Sequence, residues 1–553
     1  MDHSTGTILG YSTKSTVIIV LVSYTVYIIV NNLIQSHLRR VKAKKLNCKN
    51  PPAQKNDLPL GIDQVTRTLN SLAAQTFPTD NQKEYKKLNA LTYSNSILGN
   101  NGFATIDEKN IQAMLGTQFP DFEFGAQRID NVMPFLGSGI FSQEGKDWER
   151  SRALMRPQFA RDNLSDLEME ERHFQVLLEA LPGIGKDGWT GEIDVQPLLF
   201  RFTLDTATEF FLGQSVESQL VGIKTALGIM GEEKDADAFA REFDLGSASL
   251  AKRARFASYA VTQAIYLSSS KLLYDITADY LKFQWLVWPS GFKKAIKTCH
   301  QVIDRIVAGN LEKMKAAGGV GDSGRYVFFE ALTESTRDPV ELRAQVMHIL
   351  LAGRDTTASL LGFTILILAR DATRYRELRE IVLEEFGSFS KPKNITFTHM
   401  KTCRYLQWVL NETLRLYPLV PWNFRVAKKD TTLPRGGGKD GNSKIFVKKD
   451  TVVEYSIFAL HRRKDIWGED ADEFKPERWE GRKGGWEYLP FNGGPRVCIG
   501  QQYALTEAGF FIIRLLQKFD QMESVDKTDV KLNLAVTMSS GNGVKVKLHE
   551  AGM

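Results

Sequence analysis

The stretch Phe491-Asn-Gly-Gly-Pro-Arg-Val-Cys-Ile-Gly500 decides the fold, because it surrounds one cysteine with the residues of a hydrogen-bonded thiolate loop. A free cysteine thiol has a pKa of roughly 8.5 and binds metal only once it is deprotonated. The glycines let the backbone take unusual dihedrals and aim N–H groups at the sulfur. Arg496 adds a positive charge two residues from Cys498, and the apolar run over 503–516 predicts a buried helix with its positive dipole end nearby. The stretch therefore favours a metal-binding thiolate over an ordinary buried cysteine.

The composition of the whole chain indicates a globular protein in a reducing compartment. Its 553 residues are 43% hydrophobic and 25% charged. Length alone suggests roughly three or four domains. However, no long linker or internal repeat follows residue 60, so we expect one large domain. The cysteines, which are far apart and form no CxxC pair, predict neither a disulfide framework nor a zinc site: Cys48, Cys299, Cys403 and Cys498.

The N-terminal part of the chain predicts a membrane anchor. No charge lies between Lys14 and His37, a length that just spans a bilayer. The basic cluster over 39–55 then keeps the rest of the chain cytosolic by the positive-inside rule. A cleaved signal peptide is the alternative, but its basic n-region and small-residue cleavage site are missing. The predicted segments are a lumenal tail over 1–15, an anchor over 16–36, a basic and proline-containing hinge over 37–61, and one domain over 62–553. The sequons after the anchor should stay unglycosylated: Asn163, Asn394 and Asn411.

The remaining pattern predicts an α+β fold that is predominantly α-helical with minor sheets. Strand-like runs separated by turns occur over 418–460, and 530–547 suggests a hairpin with a turn at 541–543. The glycine-rich segment 434–441 lacks the Gly-Lys-Ser/Thr ending of a phosphate loop, so we interpret it as a connecting turn. Helical periodicity covers six segments: 165–182, 195–213, 298–317, 339–370, 372–387 and 398–417.

The segment 339–370 carries a polar notch, Ala352-Gly-Arg-Asp-Thr-Thr357, in a helix that is otherwise apolar almost all round. A second membrane span is the alternative, but charges at its middle are expensive in lipid. We therefore expect a buried core helix. Gly353 permits close approach of a flat ligand, and Thr356 lies three residues later on the same face. Its hydroxyl can bond back to a carbonyl one turn earlier, and Asp355 beside it completes an acid–alcohol pair for proton delivery.

The cysteine stretch resembles the haem-binding loop of the cytochrome P-450 family at five positions: Phe491, Gly494, Arg496, Cys498 and Gly500. The resemblance to this family extends over nearly all of the chain after residue 60. The resemblance implies a prism-like fold and haem (iron protoporphyrin IX) with Cys498 as the axial ligand. It also implies that the notch crosses the opposite face of the haem, where Asp355 and Thr356 protonate bound O2.

The resemblance assigns further residues to the haem and to a charge network. Glu412, Arg415 and Arg478 would form a buried structural network under the cysteine loop. His461 is a weaker candidate for a haem contact, and packing or a surface position is the better interpretation. The cofactor-binding residues that it implies are Trp148, Arg152, Gly353, Arg425, Phe491, Gly494, Arg496 and Gly500.

Within the family, the sequence over 415–467 most resembles that of the alkane- and fatty-acid-hydroxylating enzymes of yeasts and other fungi. Those enzymes are anchored in the endoplasmic reticulum. The resemblance implies terminal (omega) hydroxylation of a hydrophobic substrate at the bilayer. A sterol or an aromatic substrate is the nearest alternative, followed by a peroxide-using isomerase or a haem carrier. A bulky Trp422 would shorten or redirect the pocket. The substrate-lining residues placed by analogy are Met347, Leu350, Ala352, Leu419, Val420, Trp422 and Met538.

Nothing in the chain resembles a flavin or nicotinamide site, because no Gly-x-Gly-x-x-Gly follows a strand. Electrons would therefore come from NADPH through a separate membrane-bound reductase, with Lys146, Arg150 and Arg156 as candidate docking charges. The net charge of +6 is modest, and basic residues cluster directly after the anchor. We expect no nucleic-acid partner.

Overall fold

The computed structural model describes residues 13–97, 99–159, 167–220, 234–256, 291–316 and 328–552. The sequon at Asn163 lies outside these residues. The α-helices are α1 (Thr13–Lys45), α2 (Ile62–Ala73), α3 (Phe77–Leu88), α4 (Glu108–Gln112), α5 (Ala126–Leu136), α6 (Gly145–Met155), α7 (Glu168–Glu179), α8 (Gln196–Leu212), α9 (Lys234–Phe256), α10 (Phe292–Ala316), α11 (Phe328–Thr333), α12 (Pro339–Arg370), α13 (Ala372–Phe386), α14 (Phe397–Thr402), α15 (Arg404–Leu416), α16 (Ile457–Leu460), α17 (Lys464–Trp467) and α18 (Gln501–Lys518).

Short strands form four sheets among these helices. The strands are β1 (Thr92–Ile97), β2 (Asn100–Thr105), β3 (Phe122–Glu123), β4 (Ile193–Asp194), β5 (Trp422–Ala427), β6 (Thr431–Gly437), β7 (Ser443–Val447), β8 (Val452–Ser456), β9 (Phe519–Ser524), β10 (Leu532–Leu534), β11 (Met538–Ser540) and β12 (Lys545–Glu550). The largest sheet has the order β1-β2-β8-β5-β3, and the others are β4-β12-β9, β6-β7 and β10-β11. Helix therefore dominates over sheet, which confirms the predicted α+β class.

Helix α12 runs through the core. Its start is fixed by Pro339 in the first turn and by Asp338, whose carboxylate accepts the N–H of Val340 at 3.0 Å. Apolar side chains on nearly every face let it pack against α8, α10 and α18 at once. Among the described residues, α12 is the helix with the length and hydropathy to span a bilayer, yet 83% of its most apolar stretch is buried inside the protein. This burial favours the core helix over the second membrane span.

Two predicted elements differ from the structure. The predicted helix over 398–417 is broken at Cys403, which ends α14 and precedes α15. The predicted turn at 541–543 does not close a hairpin: β10 and β11 pair with each other, so the hairpin turn falls at 535–537, and β12 pairs with β9 and β4 instead. The segment 434–441 does act as a connection, because β6 and β7 form an antiparallel pair across it.

The N-terminal helix continues beyond the predicted anchor and contacts the large domain. Helix α1 runs to Lys45, through part of the segment predicted as a hinge. Near its end, Arg39 and Lys42 lie 3.8 and 4.0 Å from the carboxylate of Asp430. The following chain joins the edge of the largest sheet, where Gln54 N–H donates to the carbonyl of Ser94 at 2.8 Å. The folded domain thus begins before residue 62.

Candidate active site

The cysteine loop is a tight turn followed directly by a helix. Gly494 has a φ of +69°, and a Cβ there would lie 1.7 Å from the carbonyl oxygen of Leu115, so only glycine fits. The loop closes on itself where Cys498 N–H donates to the carbonyl of Phe491 at 3.0 Å. Helix α18 begins at Gln501, one residue after Gly500. The glycine-rich turn and the nearby helix N-terminus are therefore present as the sequence predicts.

The thiol of Cys498 faces an interior cavity. Cys498 is exposed, and it lines the cavity. Burial raises the pKa of this thiol, and the N–H of Gly500 and the charge of Arg152 oppose that rise. The sequence pointed to Arg496 as the nearby cation, but Arg496 pairs with Glu144 at 2.6 Å instead. A buried thiol of this kind becomes a thiolate when a metal ion takes the place of its proton.

Arginines gather beside the cysteine loop. Arg496 stacks 4.1 Å from the ring of Phe124 and 4.2 Å from the ring of Trp148. Arg152 donates to the carbonyl of Val497 at 2.8 Å. Arg425 is 2% exposed, and its Nη2 has no hydrogen-bond partner among the described residues. An orphaned guanidinium nitrogen in this place indicates an anionic group that the protein is built to hold.

Sequence reasoning missed Arg128, which joins the same group. It lies on α5 and lines the cavity, 4.0 Å from the ring of Phe124. Its Nη1 donates to Asn423 Oδ1 at 2.9 Å. Burial, and then the neighbouring charges of Arg425 and Arg496, lower its pKa to about 10. No local motif marks this arginine, since only the fold brings α5 against β5.

The cavity has the shape and chemistry to hold haem. Its walls are mainly apolar, and two of them are the cysteine loop and the middle of α12. The arginines at one edge suit the two carboxylates of haem, and the thiol of Cys498 supplies a soft ligand for its iron. The predicted cofactor residues that line it are Trp148, Arg152, Gly353, Phe491, Arg496 and Gly500. Arg425 lies just behind, and Gly494 supports the loop.

The notch of α12 lines the same cavity as the thiol. Gly353, Thr356 and Thr357 all line the cavity. The hydroxyl of Thr356 donates to the carbonyl of Ala352 at 2.6 Å, which is the bond back along the helix that the sequence predicts.

Asp355 points away from this wall. It is not among the residues that line the cavity, and its carboxylate accepts from Arg354 at 2.8 Å and from Ser247 at 2.7 Å. Arg354, 2% exposed, also pairs with Asp244 on α9. Burial raises the pKa of Asp355, although Arg354 and Ser247 lower it. The acid of the acid–alcohol pair is thus held by α9, one layer behind the cavity.

The structure brings the three members of the charge network together. Glu412 and Arg415 are fully buried and joined by two hydrogen bonds of 2.8 Å. Arg478 donates to the same carboxylate at 3.1 Å, and Trp479 Nε1 donates to it at 3.1 Å. Arg415 also donates to three backbone carbonyls, those of His461, Ala471 and Glu473. This network ties α15 to the segment before the cysteine loop.

His461 is a packing residue. It is fully buried, accepts the N–H of Leu489 on Nε2 at 2.9 Å, and bonds the carbonyl of Arg415 through Nδ1 at 3.1 Å. Burial lowers its pKa to about 3, so the ring is neutral. Its position holds the start of the cysteine loop against the charge network.

The substrate-lining residues placed by analogy divide into two groups. Ala352, Leu419 and Val420 line the cavity. The other four do not: Met347, Leu350, Trp422 and Met538. Met347, Leu350 and Met538 are fully buried in core clusters, and Trp422 packs against Phe77 with ring centroids 6.1 Å apart. A helix buried on all sides turns only one of its faces to a cavity. Residue type alone does not reveal which face that is.

Comparison with known proteins agrees with this site. A model of the family described as cytochrome P450 matches residues 73–546. The chain is 48% identical to cytochrome P450 monooxygenase g430 of a Fusarium species, an alignment covering 96% of this chain and 89% of that protein. It is 40% identical to cytochrome P450 monooxygenase alt2 of Alternaria solani, over 94% of each chain. Cytochrome P450 52A13 of Debaryomyces hansenii is 43% identical over 84% of this chain and 85% of its own. The chain therefore belongs to the cytochrome P450 family of haem-thiolate monooxygenases.

Proposed function

We propose that this cytochrome P450 hydroxylates the terminal carbon of n-alkanes or fatty acids at the endoplasmic reticulum membrane. The observation that carries the proposal is a cavity with apolar walls and an apolar mouth. Val420 and Val536 both line the cavity and are both 37% exposed, so they mark the place where it meets the surface. An apolar mouth favours entry of a chain that partitions into lipid.

The thiolate of Cys498 would hold the haem iron, and Trp148, Arg152, Arg425 and Arg496 would hold the haem carboxylates. When bound, haem supplies the activation of O2, which thiolate ligation favours. Arg128 would add a fifth partner. The apolar walls exclude water and leave the terminal carbon of the substrate as the group that reaches the reacting centre.

Protons for the reaction would pass through the notch of α12. Thr356 presents its hydroxyl at the cavity wall, and its bond to the carbonyl of Ala352 holds that hydroxyl in place. Asp355, held by Arg354 and Ser247, would rotate and return a proton to the hydroxyl of Thr356. A proton donor must first lie within hydrogen-bonding reach of its acceptor, and only then does its pKa decide how well it works.

The anchor and the redox partner complete the proposal. Helix α1 exposes large apolar side chains along its length, which the protein itself does not cover: Ile19, Val22, Val26, Tyr27, Val30, Leu33 and Ile34. We place 16–36 across the bilayer with the large domain in the cytosol. Electrons would come from an NADPH–cytochrome P450 reductase in the same membrane, with Lys146, Arg150 and Arg156 as docking charges. Arg150 already pairs with Glu341 at 2.9 Å, so it is the weakest of the three.

The test is turnover by the full-length protein, reconstituted with reductase and phospholipid. Laurate, a long n-alkane and a sterol would be supplied separately and the hydroxylated carbon identified. We expect terminal alcohols from laurate and the alkane. Turnover of the sterol alone would overturn the proposal, and hydroperoxide conversion without NADPH would point to an isomerase.

A pair of variants tests the mouth. Val536→Asp places a charge in the entrance and should raise the KM for the alkane several-fold. Val525→Asp is the matched control, because Val525 is also 37% exposed but does not line the cavity. Equal effects of the two substitutions would show that this is not the route of entry.

A further inference from the structure

The loop between α5 and α6 forms part of the cavity wall close to the cysteine loop. Ile140 and Phe141 both line the cavity. Arg496 donates to the carbonyl of Ile140 at 3.3 Å and to that of Gln143 at 3.1 Å. The described residues 137–144 connect α5 to α6 outside any helix or strand, so the shape of this loop depends on contacts with neighbouring elements.

One side chain of α12 supplies such contacts. His348 is fully buried and lies one helical turn before Ala352, which lines the cavity. Its Nδ1 accepts the N–H of Phe141 at 3.3 Å. Its Nε2 lies 3.1 Å from the carbonyl oxygen of Gly137 and 3.3 Å from Ser142 Oγ. The imidazole thus contacts the loop through both of its nitrogens.

These contacts fix the tautomer of the ring. The amide of Phe141 can only donate, so Nδ1 of His348 must accept, and the ring proton is on Nε2, where it faces the carbonyl of Gly137. Burial lowers the pKa of His348 to about 4, although the carbonyl of Gly137 opposes that shift. The ring is therefore neutral near pH 7, with one acceptor and one donor for two backbone groups of the loop.

The loop also packs closely against α12. A Cβ at Gly139 would lie 2.4 Å from Cδ2 of His348. A Cβ at Gly137, where φ is +74°, would lie 2.8 Å from the Cβ of Ala344. The ring centroids of His348 and Phe141 are 5.5 Å apart. A loop packed this tightly cannot move relative to α12 without moving the side chains that it presents to the cavity.

We propose that His348 is a positioning residue that, by holding this loop, sets how closely Ile140 and Phe141 approach the substrate and therefore which carbon is hydroxylated. The inference rests on the proposed function, because a chain substrate offers several neighbouring carbons. The C–H bonds of a terminal methyl are stronger than those of the methylene beside it, so terminal hydroxylation requires a wall that keeps the methylene away from the reacting centre. His348 is not among the described residues that line the cavity, so it acts through the loop.

The first measurement needs no substrate. It is the hydrogen exchange of the amides over 137–144 in the haem-loaded, full-length protein. His348→Phe keeps an aromatic ring but removes both hydrogen-bonding nitrogens, so exchange should become roughly tenfold faster. His348→Gln, whose amide offers one acceptor and one donor, should exchange at the rate of the parent. Equal exchange in the parent and in His348→Phe would overturn the proposal.

The second measurement is the ratio of terminal to in-chain alcohols formed from laurate and from dodecane. We expect His348→Phe to lower this ratio about tenfold, which is the lower end of the discrimination that a hydrophobic pocket achieves for one methylene. His348→Gln should restore most of the ratio. A histidine with a purely structural role would change the yield of folded protein and leave the ratio alone. An unchanged ratio in His348→Phe, or an equal fall in His348→Gln, would therefore overturn the proposal.

Tyr375→Phe is the matched control for the loss of a buried hydrogen bond. Tyr375 is 1% exposed, its hydroxyl donates to the carbonyl of Phe519 at 2.8 Å, and it packs in a core cluster outside the cavity lining. The substitution should change neither the ratio nor the exchange of the loop, and a fall in the ratio equal to that of His348→Phe would overturn the proposal. If His348→Phe does not fold, Gly139→Ala replaces it, because its added methyl displaces the loop from His348. An unchanged ratio in Gly139→Ala would then overturn the proposal.

Failure of this inference differs from failure of the proposed function. Terminal alcohols formed in the same ratio by the parent and by His348→Phe would leave the substrate class standing and remove the role of His348. If the parent forms no alcohol from laurate or dodecane, the proposed substrates are wrong, and the distribution of hydroxylated carbons is measured on the sterol instead. An equal distribution in the parent and in His348→Phe would then overturn the inference.

Discussion

The two walls of the cavity differ in how completely their polar atoms are paired. Behind the cysteine loop, both oxygens of Glu412 and the whole guanidinium of Arg415 are hydrogen-bonded and fully buried. On α12, the hydroxyl of Thr357 has no hydrogen-bond partner among the described residues, and the hydroxyl of Thr356 donates to the carbonyl of Ala352 on its own helix. A saturated network resists movement, whereas unpaired hydroxyls can exchange protons. In the proposed function, one wall would hold the ligand and the other would deliver protons.

The largest effect should come from the wall that fixes the ligand. Cys498→Ser replaces a soft thiolate by a hydroxyl that stays protonated at neutral pH, so haem-thiolate bonding and turnover should be lost entirely. The check is the reduced carbon-monoxide difference spectrum of the purified protein. An unshifted Soret band in the parent protein would contradict thiolate ligation, and a shifted band in Cys498→Ser would place the ligand elsewhere.

The next effect should come from the charge network. Glu412→Ala leaves two buried guanidiniums without their carboxylate, which typically costs about 3–5 kcal/mol. The measurement is the free energy of unfolding, or the yield of haem-loaded protein if unfolding is irreversible. Glu469→Ala, which breaks an exposed pair with Lys464, is the control and should change neither quantity. A small loss for Glu412→Ala would show that the two walls do not differ in rigidity.

The wall of α12 should show the reverse behaviour. Thr356→Val removes a cavity hydroxyl whose only hydrogen-bond partner among the described residues is the carbonyl of Ala352, so the unfolding temperature should stay within a few degrees of the parent. Product formation per NADPH should nevertheless fall by roughly 10²-fold, as for loss of a positioned acid–base group. A variant that loses stability but keeps coupling would reverse the assignment of the two walls.

The smallest effect concerns pH and stability. The pKa of Glu507 is about 8 when folded, above that of an exposed glutamate, so the folded protein holds a proton that the unfolded chain releases. The stability that this proton supplies is complete below the unfolded pKa and is lost as pH rises through about 8. Glu507→Gln should flatten that loss. Unfolding temperatures at pH 6 and pH 9 test this, and a steeper loss in the variant would contradict it.

The elements that the sequence predicted are those with local causes. The cysteine loop needs a left-handed glycine beside the backbone of Leu115, and α12 needs an apolar surface on nearly every face. Residues that are neighbours in the sequence meet both requirements. The pairing of Glu412 with Arg415 is also local, because the two residues lie one turn apart.

The features that escaped prediction depend on which helices pack together. Arg128 gains its role only because α5 lies against β5. Asp355 turns to α9 because Ser247 on that helix donates to its carboxylate, which no spacing in 352–357 indicates. Met347 and Leu350 carry the right residue types for a cavity wall but face the core.

The sequence by itself thus determined the ligand loop, the core helix, the pairing of Glu412 with Arg415 and, through them, the family. These are encoded by short spacings, where backbone geometry limits what each residue type can do. The tertiary structure decided which side chains meet across distant segments: the arginines at the edge of the cavity and the apolar residues at its mouth. Burial and long-range contact set those properties, and neither is a property of a single stretch of chain.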